Sequence, residues 1–481
     1  MTSLPAEADV VVVGAGSAGA AVAARLVEGG RDVLLLEAGP DPGPLGDPRW
    51  PADLIDATRL GTSFDWGFGF ERSRVVGGCS AHNGCVQTWG HRRDYDGWAE
   101  LGGDGWSADA LEPLFARASA QQRVRTYALS ELTPWQAAWH EAAVSAGLPG
   151  LADLNDLDET VGVAPESVNI VDGVRFNAAF AYLDPLRGHP GLTIAADVLV
   201  DRLQIDGGQV TGVVAPHTIR CELVVLCAGT FGTPAILLRS GVGPAADLAA
   251  LGIPVVGDLP GVGANLHDQP FILMSWEGSP EIASAMEAAA AAGWAPDEQV
   301  MAKAASSFDP DCFDLHLLPY SPTHLGAGRT WHAGAGALRP RSRGHVRLTS
   351  ADPNVLPAVD HAFLSDPEGH DLAVLIEGIA LLRELAAQPG LRELLGREVA
   401  PGPAGLTAPA DLRTHLLAHP DSYWHPVGTC ALGAVCDGSG AVHGLEGCLV
   451  ADCALMPYVP RATTAMPATV VGERIAELVL R

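Results

Sequence analysis

The feature that most constrains the fold is a glycine-rich turn between a buried strand and a helix, close to the start of the chain. Residues 8–13 read ADVVVV, an apolar, β-branched run typical of a buried parallel strand, and GAGSAG follows directly. The Ala-rich segment after it predicts a helix, and RDVLLLE at 31–37 predicts a second buried strand. This order of elements, ending on an acid, is the fingerprint of a Rossmann unit that binds a dinucleotide.

Each residue type in this turn has a physical task. Gly14 allows the tight turn, Gly16 lets the backbone approach a pyrophosphate, and Gly19 lets the helix pack closely on the strand. Ser17 lies at the start of the helix, whose N-terminal N–H groups favour an anion. Glu37 would accept hydrogen bonds from ribose hydroxyls and would repel the 2′-phosphate of NADP. The motif does not distinguish FAD from NAD, but the lack of a second complete fingerprint disfavours a flavin reductase that also binds NAD(P)H.

Composition narrows the class of protein further. A chain of 481 residues, of which 48% are hydrophobic and 18% charged, can bury a large core in more than one domain. The formal net charge of -28 disfavours a nucleic acid or an anionic membrane as a partner. The first residues lack the features of a secretory signal, and the nine cysteines include no C-x-x-C pair. We therefore expect a cytoplasmic protein with free thiols and no metal site.

Five further motifs occur in order along the chain. They are RVVGGCSAHNGCVQTWG (74–90), CAGTFGTPAILLRSGVGP (227–244), LPGVGANLHDQP (259–270), HPVGTCALG (425–433) and VADCALMP (450–457). Together with the opening fingerprint they resemble the glucose-methanol-choline (GMC) oxidoreductase family, and most of all its choline oxidase-like branch. Gln269 stands where the third motif commonly has His.

The resemblance implies a mixed α/β fold in which a Rossmann-like FAD-binding domain is interleaved with a substrate-binding domain that contains an antiparallel sheet. The FAD-binding domain is expected at 1–120, 190–270 and 421–481. The substrate-binding domain is expected at 121–189 and 271–420. Within it, an Ala-rich helix near 281–295 is predicted, and the alternation in FDLHLLPY (313–320) predicts a strand with one buried face.

The resemblance also implies which residues contact the cofactor. Beside the opening fingerprint, these are Gly78, His82, Asn83, Val198, Ala228, Asp452 and Ala465. His82 stands where the choline oxidase-like branch links a histidine covalently to FAD, although an ordinary polar contact is a close alternative. Gly84 replaces a Ser of that branch, and its missing side chain predicts a roomier pocket.

The implied reaction is the oxidation of a small-molecule alcohol to an aldehyde or ketone by hydride transfer to flavin N5, with O2 or another acceptor reoxidising the flavin. A neutral His can take the hydroxyl proton near pH 7, and the resemblance gives His425 this role. Thr463 stands where the family usually has Asn or His. Its hydroxyl would donate a hydrogen bond to the substrate alkoxide or would simply fill space.

Three further residues are candidates for substrate contact. Tyr423 and Trp424 precede His425 and would present an aromatic wall, which suits an apolar group or a quaternary ammonium. Arg339 would disfavour choline and suit an anionic or oxygen-rich substrate. A homodimer is expected. The alternatives to alcohol oxidation are a flavin-containing lyase on the same fold and a flavin-binding protein without catalysis.

Overall fold

A seven-stranded sheet carries the opening fingerprint. The computed structural model describes residues 4–68, 72–321, 330–402 and 409–481. The strands of this first sheet, from one edge to the other, are Leu192–Ala195, Val33–Leu36, Glu7–Val13, Thr218–Leu226, Gln209–Val214 and Arg202–Asp206, and Cys448–Val450 also pairs with Thr218–Leu226. The first four strands and Cys448–Val450 run parallel, as expected for a Rossmann-like sheet, whereas the hairpin Arg202–Val214 pairs antiparallel.

The turn after strand Glu7–Val13 explains why glycines stand there. Gly14 has φ +100°, and a side chain on it would overlap the carbonyl of Cys227 in the neighbouring strand. The helix Ser17–Glu28 begins directly afterwards, and a Cβ on Gly19 would overlap the carbonyl oxygen of Gly14. The roles predicted for these two glycines in turning and in close packing therefore match the backbone contacts.

A second sheet consists of antiparallel strands. Its strands in order are Leu395–Ala400, Pro270–Gly278, Thr330–Ala337, Leu315–Tyr320, Val300–Ala304 and Gly162–Pro165, and Asp421–Ser422 also pairs with Pro270–Gly278. One face packs against apolar side chains of the helices Pro134–Ser145, Pro280–Ala291 and His370–Ala386. Phe271, Leu273 and Tyr320 of this sheet line a cavity that also reaches the opening fingerprint. A mixed α/β fold with an antiparallel second sheet, as predicted, is confirmed.

Two local predictions are tested by this sheet. The Ala-rich helix occurs as Pro280–Ala291. The strand in FDLHLLPY occurs as Leu315–Tyr320, but the prediction of one buried face is wrong, because Leu315 to Pro319 are all buried. The strand is central and both of its faces are covered by protein, so its two sets of side chains are equally hidden.

The remaining helices surround the two sheets. They are Ala52–Ile55, Arg92–Gly102, Ala108–Gln121, Gly229–Arg239, Ala245–Ala250, Pro389–Leu394, Pro409–Ala418 and Ala465–Val479. In the four described ranges, no helix has both the length and the apolar character needed to cross a bilayer. The strands of each sheet come from several separate stretches of the chain, and the domain boundaries predicted above remain a proposal.

A buried carboxylate joins three helices around the first sheet. Glu473, in the last helix, is fully buried and accepts hydrogen bonds from Arg25 Nε at 2.8 Å and from Arg117 Nη2 at 2.6 Å. The hydroxyl of Tyr182 donates to the same carboxylate at 2.8 Å. The charge of Glu473 is thus paired and hydrogen-bonded, as a buried charge must be to be tolerated.

We expect the replacement Glu473→Ala to destabilise the protein by about 3–5 kcal/mol, because it leaves two arginines without their buried partner. Glu477→Ala is the matched control on the same helix, since Glu477 is about one-third exposed and pairs with Arg474 and Arg481. Loss of these surface pairs should cost less than about 1 kcal/mol. Urea unfolding of the three proteins measures the difference, and equal losses in both variants would contradict this interpretation.

Candidate active site

Two stretches of chain pair where the sheets meet, and they position the HPVGT motif. Backbone bridges join His267 to Val427 and Phe271 to Asp421. Between them, the N–H of Tyr423 donates to the carbonyl of Gln269 at 2.9 Å. His425 thus lies on a short ladder and not on a free loop.

Asp268 holds the backbone of this ladder in an unusual conformation. Its Oδ1 accepts from the N–H of His425 at 2.9 Å and its Oδ2 from the hydroxyl of Ser422 at 2.7 Å. The same hydroxyl accepts from the N–H of Trp424, whose φ of 62° is rare for a large side chain. A left-handed residue persists only where its surroundings fix it, and such positions cluster at functional sites.

The imidazole of His425 is buried except where it borders a cavity. Its Nδ1 lies 2.7 Å from Oε1 of Gln269, and the ring of Tyr423 packs edge-on at 4.4 Å between centroids. Burial lowers the pKa of His425 to about 3, and the nearby Arg72 lowers it further, against the opposing effect of Asp268. The imidazole is therefore neutral at physiological pH.

The cavity beside His425 has a volume of about 670 Å³ and extends to the opening fingerprint. Nearly all of the predicted site residues line it: Gly14, Gly16, Ser17, Glu37, Gly78, His82, Asn83, Val198, Ala228, Tyr423, Trp424, His425, Asp452, Thr463 and Ala465. Gly19 does not line it, because it packs against Gly14 instead. Residues that are hundreds of positions apart in the sequence thus border one continuous space.

The part of the cavity near the fingerprint fits a dinucleotide. Gly78 and Gly16 touch, so that a Cβ on Gly78 would come within 2.5 Å of the Gly16 Cα. The two glycine-rich segments together leave a backbone cradle that a flat or phosphorylated ligand can approach closely. Glu37 accepts from the N–H groups of Ala15 at 3.0 Å and Gly39 at 2.8 Å, and its carboxylate retains lone pairs for ribose hydroxyls.

Asp452 is a buried carboxylate of the cavity wall that joins two segments of the chain. Its carboxylate accepts from the N–H of Gly229 at 2.8 Å, the hydroxyl of Thr233 at 2.6 Å and the N–H of Ala454 at 2.7 Å. Burial raises its pKa to about 6, and these hydrogen bonds oppose that rise. Asp452 thus ties the start of the helix Gly229–Arg239 to the segment after strand Cys448–Val450.

His82 and Asn83 lie on the turn that follows Gly78. The Nε2 of His82 is 2.5 Å from the carbonyl oxygen of Ser63, so this nitrogen carries the proton in the neutral ring. The Nδ1 is buried and has no hydrogen-bond partner among the residues that the structure describes, and burial lowers the pKa of the ring. Asn83 uses its side-chain oxygen to accept from the N–H of Cys85 at 3.1 Å.

Thr463 lines the cavity, but its hydroxyl is engaged within the protein. It lies 3.1 Å from the carbonyl of Val86 and 2.9 Å from the hydroxyl of Thr88, and it accepts from the Thr88 N–H at 3.3 Å. A hydroxyl has a single proton to donate. With that proton directed to Val86, the space-filling interpretation of Thr463 agrees better with the geometry than donation to a substrate does.

Arg339 is not brought to the cavity, which corrects the prediction that it contacts the substrate. Its Nη1 lies 2.6 Å from Oδ1 of Asp94, and its guanidinium stacks over the ring of Tyr458 at 4.4 Å. The carboxylate of Asp94 also pairs with Arg461. The charge of Arg339 is therefore offset outside the cavity and does not select for an anion.

Glu298, which the motifs do not identify, lines the cavity close to the turn that holds His82. Its carboxyl group occupies the space beside Gly84, where a Cβ would overlap Oε1, so the prediction of a roomier pocket there is wrong. Glu166 lies behind it and is fully buried, and neither of its carboxyl oxygens has a hydrogen-bond partner within the described ranges. Burial raises the pKa of Glu298 to about 7, and burial together with the charge of Glu298 raises that of Glu166 well above its usual range.

No sequence signal marks these two acids as partners. Glu298 follows Asp297 just before strand Val300–Ala304, and Glu166 follows strand Gly162–Pro165. Only the pairing of the two strands brings them to one wall. Among the described residues, none donates a hydrogen bond to the Glu298 carboxyl.

Comparison with known proteins covers nearly the whole chain. Models of the GMC oxidoreductase family match residues 8–271 and 340–472. Choline oxidase of Arthrobacter globiformis is 33% identical, over 98% of this chain and 94% of its own. The 5-(hydroxymethyl)furfural oxidase of Methylovorus sp. (strain MP688) is 34% identical, over 98% of both chains. The crystal structure of pyridoxine 4-oxidase from Mesorbium loti superposes with a TM-score of 0.86 at 27% identity, over 98% of each chain.

Because the pKa of His425 is low in the folded protein, we expect this residue to make the free energy of unfolding depend on pH. An unfolded chain binds a proton on His425 below about pH 6.5, whereas the folded protein does not until about pH 3. As the pH falls below about 6.5, this site therefore favours unfolding by up to about 1.4 kcal/mol per pH unit. His425→Gln removes the effect, so the stability of the variant relative to the wild type should rise by about 2 kcal/mol as the pH falls from 6 to 4.5. Urea unfolding at several pH values measures it, and a constant difference would show that the folded state also binds the proton.

Proposed function

This chain belongs to the GMC oxidoreductase family and oxidises a small-molecule alcohol with FAD, and we propose that His425 is the base that removes the hydroxyl proton of the substrate. The main support is that the neutral imidazole of His425, held by hydrogen bonds at its backbone N–H and at Nδ1, borders the same cavity as the dinucleotide cradle. FAD held in this cavity would supply the hydride acceptor, and O2 or another acceptor would reoxidise it. Neutrality at working pH is the state that a general base requires.

Other residues that line the cavity would bind the cofactor and the substrate. The glycine cradle and Glu37 would bind the nucleotide part of FAD, while Asn83 and the turn at Gly78 would face its ring. Tyr423 and Trp424 would hold the substrate carbon chain beside His425. The rings of Phe271, Tyr423 and Trp424 form an aromatic wall beside His425, whose imidazole borders the cavity as a proton acceptor. The lyase and the non-catalytic alternatives are not favoured, because the relatives are named as oxidases.

We also propose that FAD is linked covalently to His82. In this link the ring nitrogen would replace a hydrogen of the flavin, and the two electrons released would pass to the same acceptor that reoxidises the flavin. The proposal is supported by the buried Nδ1 of this neutral ring at the cavity wall, which has no partner in the described part of the chain, since an unprotonated nitrogen is the nucleophilic one. The Nε2 could serve only after giving up its hydrogen bond to Ser63. Flavin fluorescence that stays with the chain on a denaturing gel, and that disappears in His82→Ala, measures the link; free flavin at the gel front would refute it.

For the substrate we propose an alcohol that carries a cationic group, bound against Glu298. Two acids lie at this wall with no compensating cation hydrogen-bonded to them in the described ranges, and the rings of Tyr127, Tyr320 and Tyr423 border the same space. Carboxylate and aromatic faces are the two groups that attract an organic cation in a dry site. Choline oxidase is one of the relatives, whereas others are named for 5-(hydroxymethyl)furfural and pyridoxine, so members of the family differ in this choice.

Replacement of the proposed base should separate chemistry from folding. His425→Gln should keep its bound flavin but slow anaerobic flavin reduction by about 10²–10⁴-fold, the usual contribution of a general base. His443→Gln changes an exposed histidine and should leave the rate unchanged. Stopped-flow bleaching of the flavin gives the rates, and reduction at the wild-type rate in His425→Gln would end the proposed role.

Replacement of Glu298 tests the substrate class. Glu298→Gln should lower kcat/KM for choline by about 10–100-fold, the value of a lost charge-assisted contact of about 1.5–3 kcal/mol, and should change the neutral isostere 3,3-dimethylbutan-1-ol little. Because the pKa of Glu298 is about 7, its carboxylate forms as the pH rises, so the wild-type preference for the cation should grow through pH 7. Glu287→Gln, on the exposed face of the Ala-rich helix, is the control. Equal losses for both alcohols would contradict the assignment.

A further inference from the structure

The side chain of Gln269 has only one possible orientation. It is fully buried, and its Nε2 donates to the carbonyl of Pro460 at 3.0 Å and lies 3.4 Å from the carbonyl of Leu338. Turning the amide by half a rotation would place its oxygen against two carbonyl oxygens, which repel it. The Oε1 must therefore be the atom that faces His425.

An amide oxygen accepts hydrogen bonds and cannot donate them. The Nδ1 of His425, at 2.7 Å from this oxygen, must then carry the ring proton. In a neutral imidazole the other nitrogen is left with a free lone pair. The Nε2 of His425 is consequently the unprotonated atom.

We propose that Gln269 is a positioning residue that fixes His425 in the Nδ1–H tautomer, with the lone pair of Nε2 directed into the cavity. The proposal rests on the function proposed for His425 and adds how the base is prepared. In the opposite tautomer, Nε2 would carry the proton and could not accept one from a hydroxyl.

No other described group takes over this task. The titratable and charged groups around the ring are Asp268, Arg72, Tyr423 and His316. Asp268 accepts from the backbone N–H groups of His425 and Gln269 and from the hydroxyl of Ser422, and its Oδ2 lies 2.9 Å from Nδ1 of His361. The hydroxyl of Tyr423 lies 3.5 Å from Nδ1 of His316. Arg72 donates to the carbonyl of Trp424 at 3.1 Å. The ring orientation at Nδ1 therefore depends on a neutral amide.

A neutral partner has a second consequence. A carboxylate at this place would stabilise the imidazolium and raise the pKa of the histidine, as opposite charges do. The amide orients the ring without adding charge. His425 thus keeps its lone pair free at low pH and yields the abstracted proton readily.

The decisive measurement is the tautomer itself, observed in the FAD-loaded protein with ¹⁵N-labelled histidine rings by two-bond proton–nitrogen NMR correlation. The signal of His425 among the 16 histidines is assigned by its loss in His425→Gln. We expect the Nδ1–H pattern in the wild type and its loss in Gln269→Met, which keeps the volume but offers only a weak thioether acceptor. Gln122→Met is the control, because it removes a buried amide that contacts Met466 and Thr469 instead.

Flavin reduction in the same proteins provides the second readout. Gln269→Met should slow it by about ten- to hundred-fold, the usual effect of losing a residue that orients a reacting ligand, while Gln122→Met should not. Gln269→Glu restores an acceptor, so it should recover the tautomer and part of the rate, and its acid limb should move to higher pH because a charge now supports the imidazolium.

An Nε2–H pattern in the wild type would overturn the proposal, as would wild-type tautomer and rate in Gln269→Met. If Gln269→Met does not hold FAD, the wild-type pattern and the pH shift of Gln269→Glu still decide. The two proposals fail in different ways. If only the role of Gln269 is wrong, His425→Gln is inactive while the Gln269 variants behave as wild type. If the role of His425 as the base is wrong, His425→Gln reduces its flavin normally.

Discussion

The pairing of residues 267–271 with 421–427 is the contact on which the site depends. The same short ladder begins the strand Pro270–Gly278 of the second sheet and carries Tyr423, Trp424 and His425. Glycines of the neighbouring strand make room for it: a side chain on Gly336 would meet the ring of Tyr423, and one on Gly334 the ring of Phe271. Because the backbone is held by Asp268 and the side chains pack against a rigid sheet, the imidazole has little freedom to leave the cavity edge.

The dinucleotide half of the cavity is organised by a different constraint, which is close backbone approach. Helix Ser17–Glu28 packs on the last helix so tightly that a Cβ on Gly472 would reach the backbone of Ala18. Glu473, the next residue, anchors three elements around the same contact. The opening fingerprint and the end of the chain therefore stabilise each other, and the strand Cys448–Val450 pairs with Thr218–Leu226 in the first sheet.

The sequence contained most of the fold and only part of the site. The fingerprint, the Ala-rich helix and the family motifs are local patterns, because each depends on neighbours within a few residues, and the fold class and the family predicted from them are confirmed. The actual partners of Arg339 and the place of Glu298 depend on which strands pair, and no local pattern records that. Arg339 looked like a free cation, but Asp94, 245 positions away, offsets its charge. Glu298 fills the space beside Gly84, which the sequence suggested was empty.

Burial has opposite effects on the charge of His425 and of Glu298, which both border the proposed substrate space. At His425, burial and an amide partner keep the ring neutral, so that a proton can be accepted without prior ionisation. At Glu298, burial acts on an acid and raises its pKa to about 7, which places its ionisation within the physiological range. A cation bound there would favour the charged carboxylate. Burial in a medium of low dielectric thus has two effects. It leaves the lone pair of His425 free, and it makes the charge of Glu298 depend on what is bound beside it.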